Sequence, residues 1–333
     1  MAEITKMAAE ATETPDVFRR QLTANKARIA GLAQAIKDRD PEFAYMIGRG
    51  TSDHAGVFGK YLIETEMGLP VAAAAPSVNS VFGKTLRLQK ALVIVISQSG
   101  RSPDILAQAK MAKEEGALCV ALVNDETSPL KDIADFFIPL CAGPEIAVAA
   151  TKSYLATLYA LLNIVAACTD NANLQNALAG LPDKMESVIA ASPVMTSSLL
   201  GSMDRCVVLG RAFGYAVSRE IALKMKEVCG IQAEAFSSAE FLHGPISLLN
   251  RGVAVLDVHV PDASSEYHKA QVEEVKRRGA TVCSLLEVSD DTLPLVAPLL
   301  IMQRFYLDIE LAARELNMDP DSPVGLKKVT ETV

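Results

Sequence analysis

The chain repeats itself at a nearly fixed interval, and this repeat narrows the possible folds more than any other feature. Apolar, strand-like runs occur at Phe43–Gly48, Ala91–Ser97 and Leu118–Asn124, each followed by a segment of helical period. The second half has the same order, with runs at Cys206–Gly210, Val253–Val260 and Thr281–Leu286. Adding 162 to Gly48-Arg49 gives Gly210-Arg211, and adding 162 to Ala91–Ser97 gives Val253–His259. Adding 163 to Gly116-Ala117 gives Gly279-Ala280. Three matches in register with one residue of drift predict an internal duplication. The period is too long for a solenoid, so two similar domains are expected. Their strands read as continuous apolar runs, the pattern of parallel strands covered on both faces. The expected class is α/β, with each domain a parallel sheet flanked by helices in three layers. The expected organisation is a helical segment over 1–42, a first domain over 43–181, a second over 193–318 and a tail over 319–333. The boundary falls near Leu181–Ser192, around Pro182 and Pro193.

Composition excludes several classes. Half of the residues are apolar, so disorder is not expected. The net charge is −8, from 32 basic and 40 acidic residues, without a basic block or an aromatic-basic ladder. No nucleic-acid partner is expected. An anionic ligand remains compatible, because backbone N–H groups and hydroxyls at a helix N-terminus hold phosphate without a basic patch. Six cysteines form no CxxC pair, and four histidines lack ligand spacing, so neither disulfides nor a metal site is expected. The acidic start MAEITKMAAEATETPD has no apolar h-region, and the longest apolar stretch, Tyr154 to Cys168, is broken by Asn163. A buried helix, no membrane partner and a cytoplasmic location are the expectations.

Hydroxyls gather at two strand ends of the first half. One loop is GRGTSDHAG, Gly48 to Gly56, and the other is SQSGRS, Ser97 to Ser102. Ligands of open parallel sheets bind beyond the carboxyl ends of the strands. Glycines and small side chains let N–H groups approach an anion there, and Thr51, Ser52, Ser97, Ser99 and Ser102 add hydroxyl donors. The second half replaces Ser97-Gln98-Ser99-Gly100 with His259-Val260-Pro261-Asp262. A loop required for folding belongs in both copies, whereas a loop required for a ligand is needed in only one. A dinucleotide fingerprint would need glycine at Asp53, a nucleophile elbow would need it at Ser97, and no Gly-Lys-Ser/Thr is present. Helix capping is the competing account of individual serines.

Gly48–Ser52, Ser97–Gly100 and AVAATKSY at Ala147–Tyr154 resemble sugar isomerase (SIS) domains. REIALKMKEVCGIQAEAFSSAEFLHGP, Arg219 to Pro245, is similar to the isomerase half of glutamine–fructose-6-phosphate aminotransferases. The chain departs from that pattern at Ala150, where the synthases have serine, and at Arg101, where they have glutamate. No cysteine precedes Cys119, so no glutaminase nucleophile is expected. The resemblance then points to stand-alone deaminases of amino-sugar phosphates. It implies that Gly50, Thr51, Ser52, Ser97, Gln98, Ser99, Ser102 and Val148 hold the phosphate and sugar.

Glu220, Lys224 and Glu227 lie at i, i+4 and i+7 and so share one helix face. A solvated salt-bridge stripe is the ordinary account of such a run. The resemblance instead implies that Glu227 moves a proton between C1 and C2 of the open-chain sugar, Lys224 stabilises the enediol or enolamine, and Glu220 pairs with the lysine. It implies that His243 opens the sugar ring from a partner subunit, hence a homodimer. It also implies that Lys328, in the tail, closes over the sugar and can form a Schiff base with the keto form. His54 and His268 are expected to be surface or helix residues. The expected reaction converts glucosamine 6-phosphate or galactosamine 6-phosphate to a ketohexose 6-phosphate plus ammonia, with no cofactor. A fructosamine-6-phosphate deglycase or an aldose–ketose isomerase would use the same scaffold. A sugar-phosphate sensor without catalysis is the alternative of another class.

Overall fold

The computed structural model describes residues 4–328. Contacts divide them into two units, residues 16–145 with 152–182, and residues 4–15 with 146–151 and 183–328. Two helices open the described chain, α1 (Lys6–Thr12) and α2 (Thr14–Arg39).

The first unit carries a five-stranded parallel sheet in the order β2-β1-β3-β4-β5. Its strands are β1 (Phe43–Ile47), β2 (Val71–Ala73), β3 (Ala91–Ser97), β4 (Leu118–Val123) and β5 (Phe136–Pro139). All six residues of β4, and the first six of β3, are buried, as their unbroken apolar runs predict. The linking helices are α3 (Thr51–Glu66), α4 (Ser77–Ser80), α5 (Pro103–Glu114) and α6 (Leu130–Ile133). The apolar stretch expected as a buried helix is α7 (Lys152–Cys168), which packs on α3. Tyr159 of α7 stacks on Phe18 of α2 at 4.1 Å between ring centroids.

The second unit carries a four-stranded parallel sheet in the order β7-β6-β8-β9. These strands are β6 (Arg205–Gly210), β7 (Gln232–Ser237), β8 (Ala254–Val258) and β9 (Val282–Ser284). The remaining helices are α8 (Ala172–Ala190), α9 (Ser197–Leu200), α10 (Phe213–Cys229), α11 (Ser238–Phe241), α12 (Ser265–Arg277) and α13 (Ala297–Glu315). A 3₁₀ turn, Pro245–Arg251, follows α11, and α10 packs on α13. Pro182 lies inside α8 rather than at its end. A proline deletes one N–H bond, and a 19-residue helix keeps the others.

The duplication extends to strand register. In the first sheet Ala44 pairs with Val71 and Leu92. Adding 162 to each gives Cys206, Ala233 and Ala254, and Cys206 does pair with Ala233 and Ala254. Val93 pairs with Cys119, while Val255 pairs with Val282, which reproduces the one-residue drift. Strands β2 and β7 follow the same repeat but escape sequence reading, because exposed residues interrupt both. The last two expected strands are shorter than their apolar runs. Among the described residues, strand β5 has no counterpart in the second sheet.

Candidate active site

The first sheet switches its direction of growth between β1 and β3, and open α/β sheets take ligands beyond the strand ends at that point. Both hydroxyl loops lie there. Helix α3 starts after one loop and α5 after the other, so two helix N-termini with orphan N–H groups meet the same crevice. Gly50, the N-cap of α3, has φ +52°, and a Cβ added to it would meet nothing within 4 Å. The glycine therefore serves the backbone conformation rather than space. Ser102, the N-cap of α5, makes no side-chain cap bond. Capping thus does not account for its hydroxyl.

The second loop is shaped from within. Ser97 Oγ accepts from the Gly100 N–H at 2.9 Å, and Ser99 Oγ accepts from the Arg101 N–H at 3.4 Å. Gly100 has φ +61°, and a Cβ there would stand 2.1 Å from Ser128 Oγ. Arg101 is turned toward the loop after β4, donating to Asp125 at 3.1 Å and to Thr127 Oγ1 at 2.7 Å. Thr51, Ser52 and Gln98 converge on one narrow cleft with Ser153, Tyr154 and Thr157. Sequence reading does not reach Ser153 and Thr157. The available signal was their i, i+4 spacing, which places both on one face of α7. Ser153 Oγ donates to Glu145 at 2.6 Å, and Thr157 Oγ1 donates to the Ser153 carbonyl at 2.8 Å.

In the second unit, α10 brings Glu220, Lys224 and Glu227 together. Glu220 is fully buried and Lys224 is 1 % exposed, so this face is not a solvated stripe. Lys224 Nζ lies 3.1 Å from Glu220 Oε1 and also donates to Glu227 Oε2. The Tyr306 hydroxyl, on α13, lies 3.5 Å from Glu220 Oε1. Burial alone would lower the Lys224 pKa, but the two carboxylates outweigh it and hold the pKa above the usual lysine value. Lys224 therefore stays charged at neutral pH. Glu227, with a side chain 24 % exposed, is the open end of the cluster. It lines a cavity of about 590 Å³ with Cys229, Met318, Pro323, Val324 and Leu326.

The repeat shows what this cluster replaces. Subtracting 162 from Glu220 and Lys224 gives Phe58 and Leu62 on α3, both fully buried in the first unit. The same fold accepts apolar packing at these positions, so a buried ion triad is not a requirement of folding. Replacing such clusters with apolar residues is often neutral or stabilising.

The tail is tied down within the second unit. Asp321 accepts from the Lys6 and Met7 N–H groups at 2.9 and 2.8 Å, and its carbonyl accepts from the Val148 N–H at 3.0 Å. Lys328 Nζ donates to the Ala147 carbonyl at 2.7 Å. The expected tail continues past Lys328 into residues 329–333, which lie outside the described residues. Lys328 and Val148 are thus brought to one place, while Lys328 does not line the Glu227 cavity. His243 stands exposed just after α11 and does not line it either. His268 lies on helix α12, one of the two placements expected for it, and is 2 % exposed. Among the described residues, no group of three His, Cys, Asp or Glu side chains could hold a metal ion. No helix among them is long and apolar enough to cross a membrane.

Known proteins share the family and the fold. The SIS domain model matches residues 39–167 and 199–298. The chain is 34% identical over 321 residues to the glutamine–fructose-6-phosphate aminotransferase [isomerizing] of Bacillus thuringiensis subsp. konkukian (strain 97-27), covering 89% of this chain and 52% of that one. It therefore spans about half the length of that relative. A solved structure from Silicibacter pomeroyi DSS-3, provisionally assigned as a phosphosugar isomerase, superposes with a TM-score of 0.89 at 38% identity. That match covers 96% of this chain and 100% of the other. Glucosamine-6-phosphate deaminase of Thermotoga maritima shares the fold, with a TM-score of 0.78 at 21% identity over 98% of this chain and 100% of that one.

Proposed function

The chain belongs to the SIS domain family, and on that premise we propose that it is a phosphosugar-converting enzyme that deaminates an amino-sugar 6-phosphate. One observation carries the reading. A charged lysine sits between two carboxylates, with Lys224 and Glu220 at positions where the sister helix packs leucine and phenylalanine, and of the three Glu227 opens to a cavity. Within the first unit, the hydroxyl loops at the β1/β3 switch point suit a sugar phosphate.

The proposed sequence begins at His243, which moves a proton between the ring oxygen and the C1 hydroxyl to open the pyranose. Glu227 removes the C2 proton and returns it to C1. Lys224 offsets the negative charge that builds up between these two transfers. The product of the transfer is a C2 imine. Water adds to C2 and ammonia departs, leaving a ketose 6-phosphate. Lys328 lies on the tail, where an amine near the C2 carbonyl would hold the keto form.

The test is incubation with glucosamine 6-phosphate in the absence of glutamine, followed by assay of ammonia and fructose 6-phosphate. Equal amounts of the two products are expected. A ketose without ammonia from an aldose phosphate would instead identify a simple isomerase. Binding of sugar phosphates without any product would refute the catalytic reading.

A further inference from the structure

A chain of polar side chains crosses the apolar layer of the second sheet. Asp257 on β8 lies 2.7 Å from His268 Nε2 on α12, and His268 Nδ1 lies 3.0 Å from Ser238 Oγ at the start of α11. Ser238 Oγ also donates to Gln271 Oε1, and Ser284 Oγ donates to Asp257 Oδ2 at 3.2 Å. Both ring nitrogens of His268 are engaged, so the ring has one orientation. Asp257, His268 and Ser238 are each buried. Val207, Leu209, Val255, Val275 and Phe241 form an apolar cluster in the same unit, and the His259 ring stacks on His268 with centroids 6.2 Å apart.

The first sheet builds the same junction differently. Asp257 minus 162 is Val95, and His268 minus 163 is Ile105, following the drift between β3 and α5. Both belong to the apolar core there. Only the glutamine is shared: Gln108, which is Gln271 minus 163, donates to the carbonyl of Pro76, which is Ser238 minus 162. A polar residue in an apolar core costs free energy unless every group is paired. The fold does not demand that cost, because Val95 and Ile105 do the same packing. The chain ends on Ser238, and the segment it anchors leads through buried Phe241 to His243, five residues on.

We propose that Asp257 and His268 are positioning residues that act through Ser238 to fix α11, and so set where the His243 imidazole stands. The proposal rests on the reading of His243 as the ring-opening group. Neither Asp257 nor His268 touches substrate in this account. Their work is to remove the freedom of a short helix that leads into an exposed loop, and so to hold a catalytic side chain within the narrow geometry that proton transfer requires.

The test installs the first sheet's solution with Asp257→Val and His268→Ile in one protein. Hydrogen exchange, read by mass spectrometry, should quicken at least tenfold over 239–245 and stay unchanged in β6 and α10. On glucosamine 6-phosphate, kcat should fall about 10- to 100-fold while KM stays within twofold. Ser238→Ala removes the hydroxyl alone, and it should reproduce both changes in a smaller form if the double variant does not fold. Asp257→Asn keeps an acceptor for the ring and should retain most of the protection. Unchanged exchange over 239–245 overturns the proposal, and so does faster exchange with unaltered kcat. If the wild-type protein turns over no sugar phosphate, the functional reading fails by itself. The exchange arm then decides the positioning claim alone.

Discussion

The two sheets are built on the same register and differ in where they place polarity. The first carries hydroxyls at its strand ends and apolar side chains at Val95, Ile105, Phe58 and Leu62. The second has lost the hydroxyl loop and carries Asp257, His268, Glu220 and Lys224 at the matching places. A fold that tolerates both versions requires neither. Each departure from the shared pattern therefore marks a requirement other than folding, and under the proposed function these are anion binding in the first unit and proton chemistry with its support in the second. The backbone keeps one trace of the common origin. Gly50 and Ala212, 162 residues apart, both precede their helices at positive φ, +52° and +44°. Only glycine takes that conformation without strain.

The comparison can be broken most severely at Glu227. Glu227→Gln keeps size and hydrogen bonding but removes the base, and it should lower kcat by about 10²–10⁴-fold. A sugar phosphate should still raise the melting temperature of this variant. Full turnover would sink the assignment.

The ion triad gives a sharper contrast between stability and activity. Lys224→Leu alone removes the cation paired with buried Glu220 and should cost about 3–5 kcal/mol in denaturant unfolding. Glu220→Phe with Lys224→Leu copies α3 and should be neutral or stabilising by about 1–4 kcal/mol, while turnover is lost. The lysine's folded pKa lies above its ordinary value of 10.5. Its contribution to stability is therefore complete below 10.5 and is lost as pH rises through the folded value. In alkaline melts the wild type should lose stability faster than the double variant. Parallel curves would show that the pair is not held as described.

A milder effect is expected at the phosphate loop. Ser102 makes no cap bond, so Ser102→Ala should leave the melting temperature unchanged. A lost hydrogen bond to a charged phosphate should raise KM about 10- to 100-fold, from roughly 1.5–3 kcal/mol. A lower melting temperature with unchanged KM would return Ser102 to a structural role. The smallest effect concerns the strained turn. Ala212→Gly should stabilise by up to about 1–2 kcal/mol, the relief of strain less the entropy of glycine. The reverse change, Gly50→Ala, should cost a similar amount, measured by the same denaturant midpoints.

Much of this architecture was legible before any coordinates. The 162-residue offset set the duplication, and the continuous apolar runs set parallel strands. Two glycine- and serine-containing strand ends marked the proposed anion site, and the i, i+4, i+7 spacing put Glu220, Lys224 and Glu227 on one face. Periodicity reports which residues share a face, but not what that face meets. Whether Glu220 and Lys224 face water depends on α13, whose Tyr306 is 86 residues from Glu220. The sequence leaves His268 as a surface or helix residue, and its buried place is set by partners far along the chain, Asp257 and Ser238, 11 and 30 residues away. Ser153 and Thr157 join the cleft because α7 packs on α3, which is formed far earlier in the chain. Local pattern therefore determined the elements, their order and the chemistry on offer. Burial, pairing and charge state came from contacts between distant residues, which only the folded chain brings together.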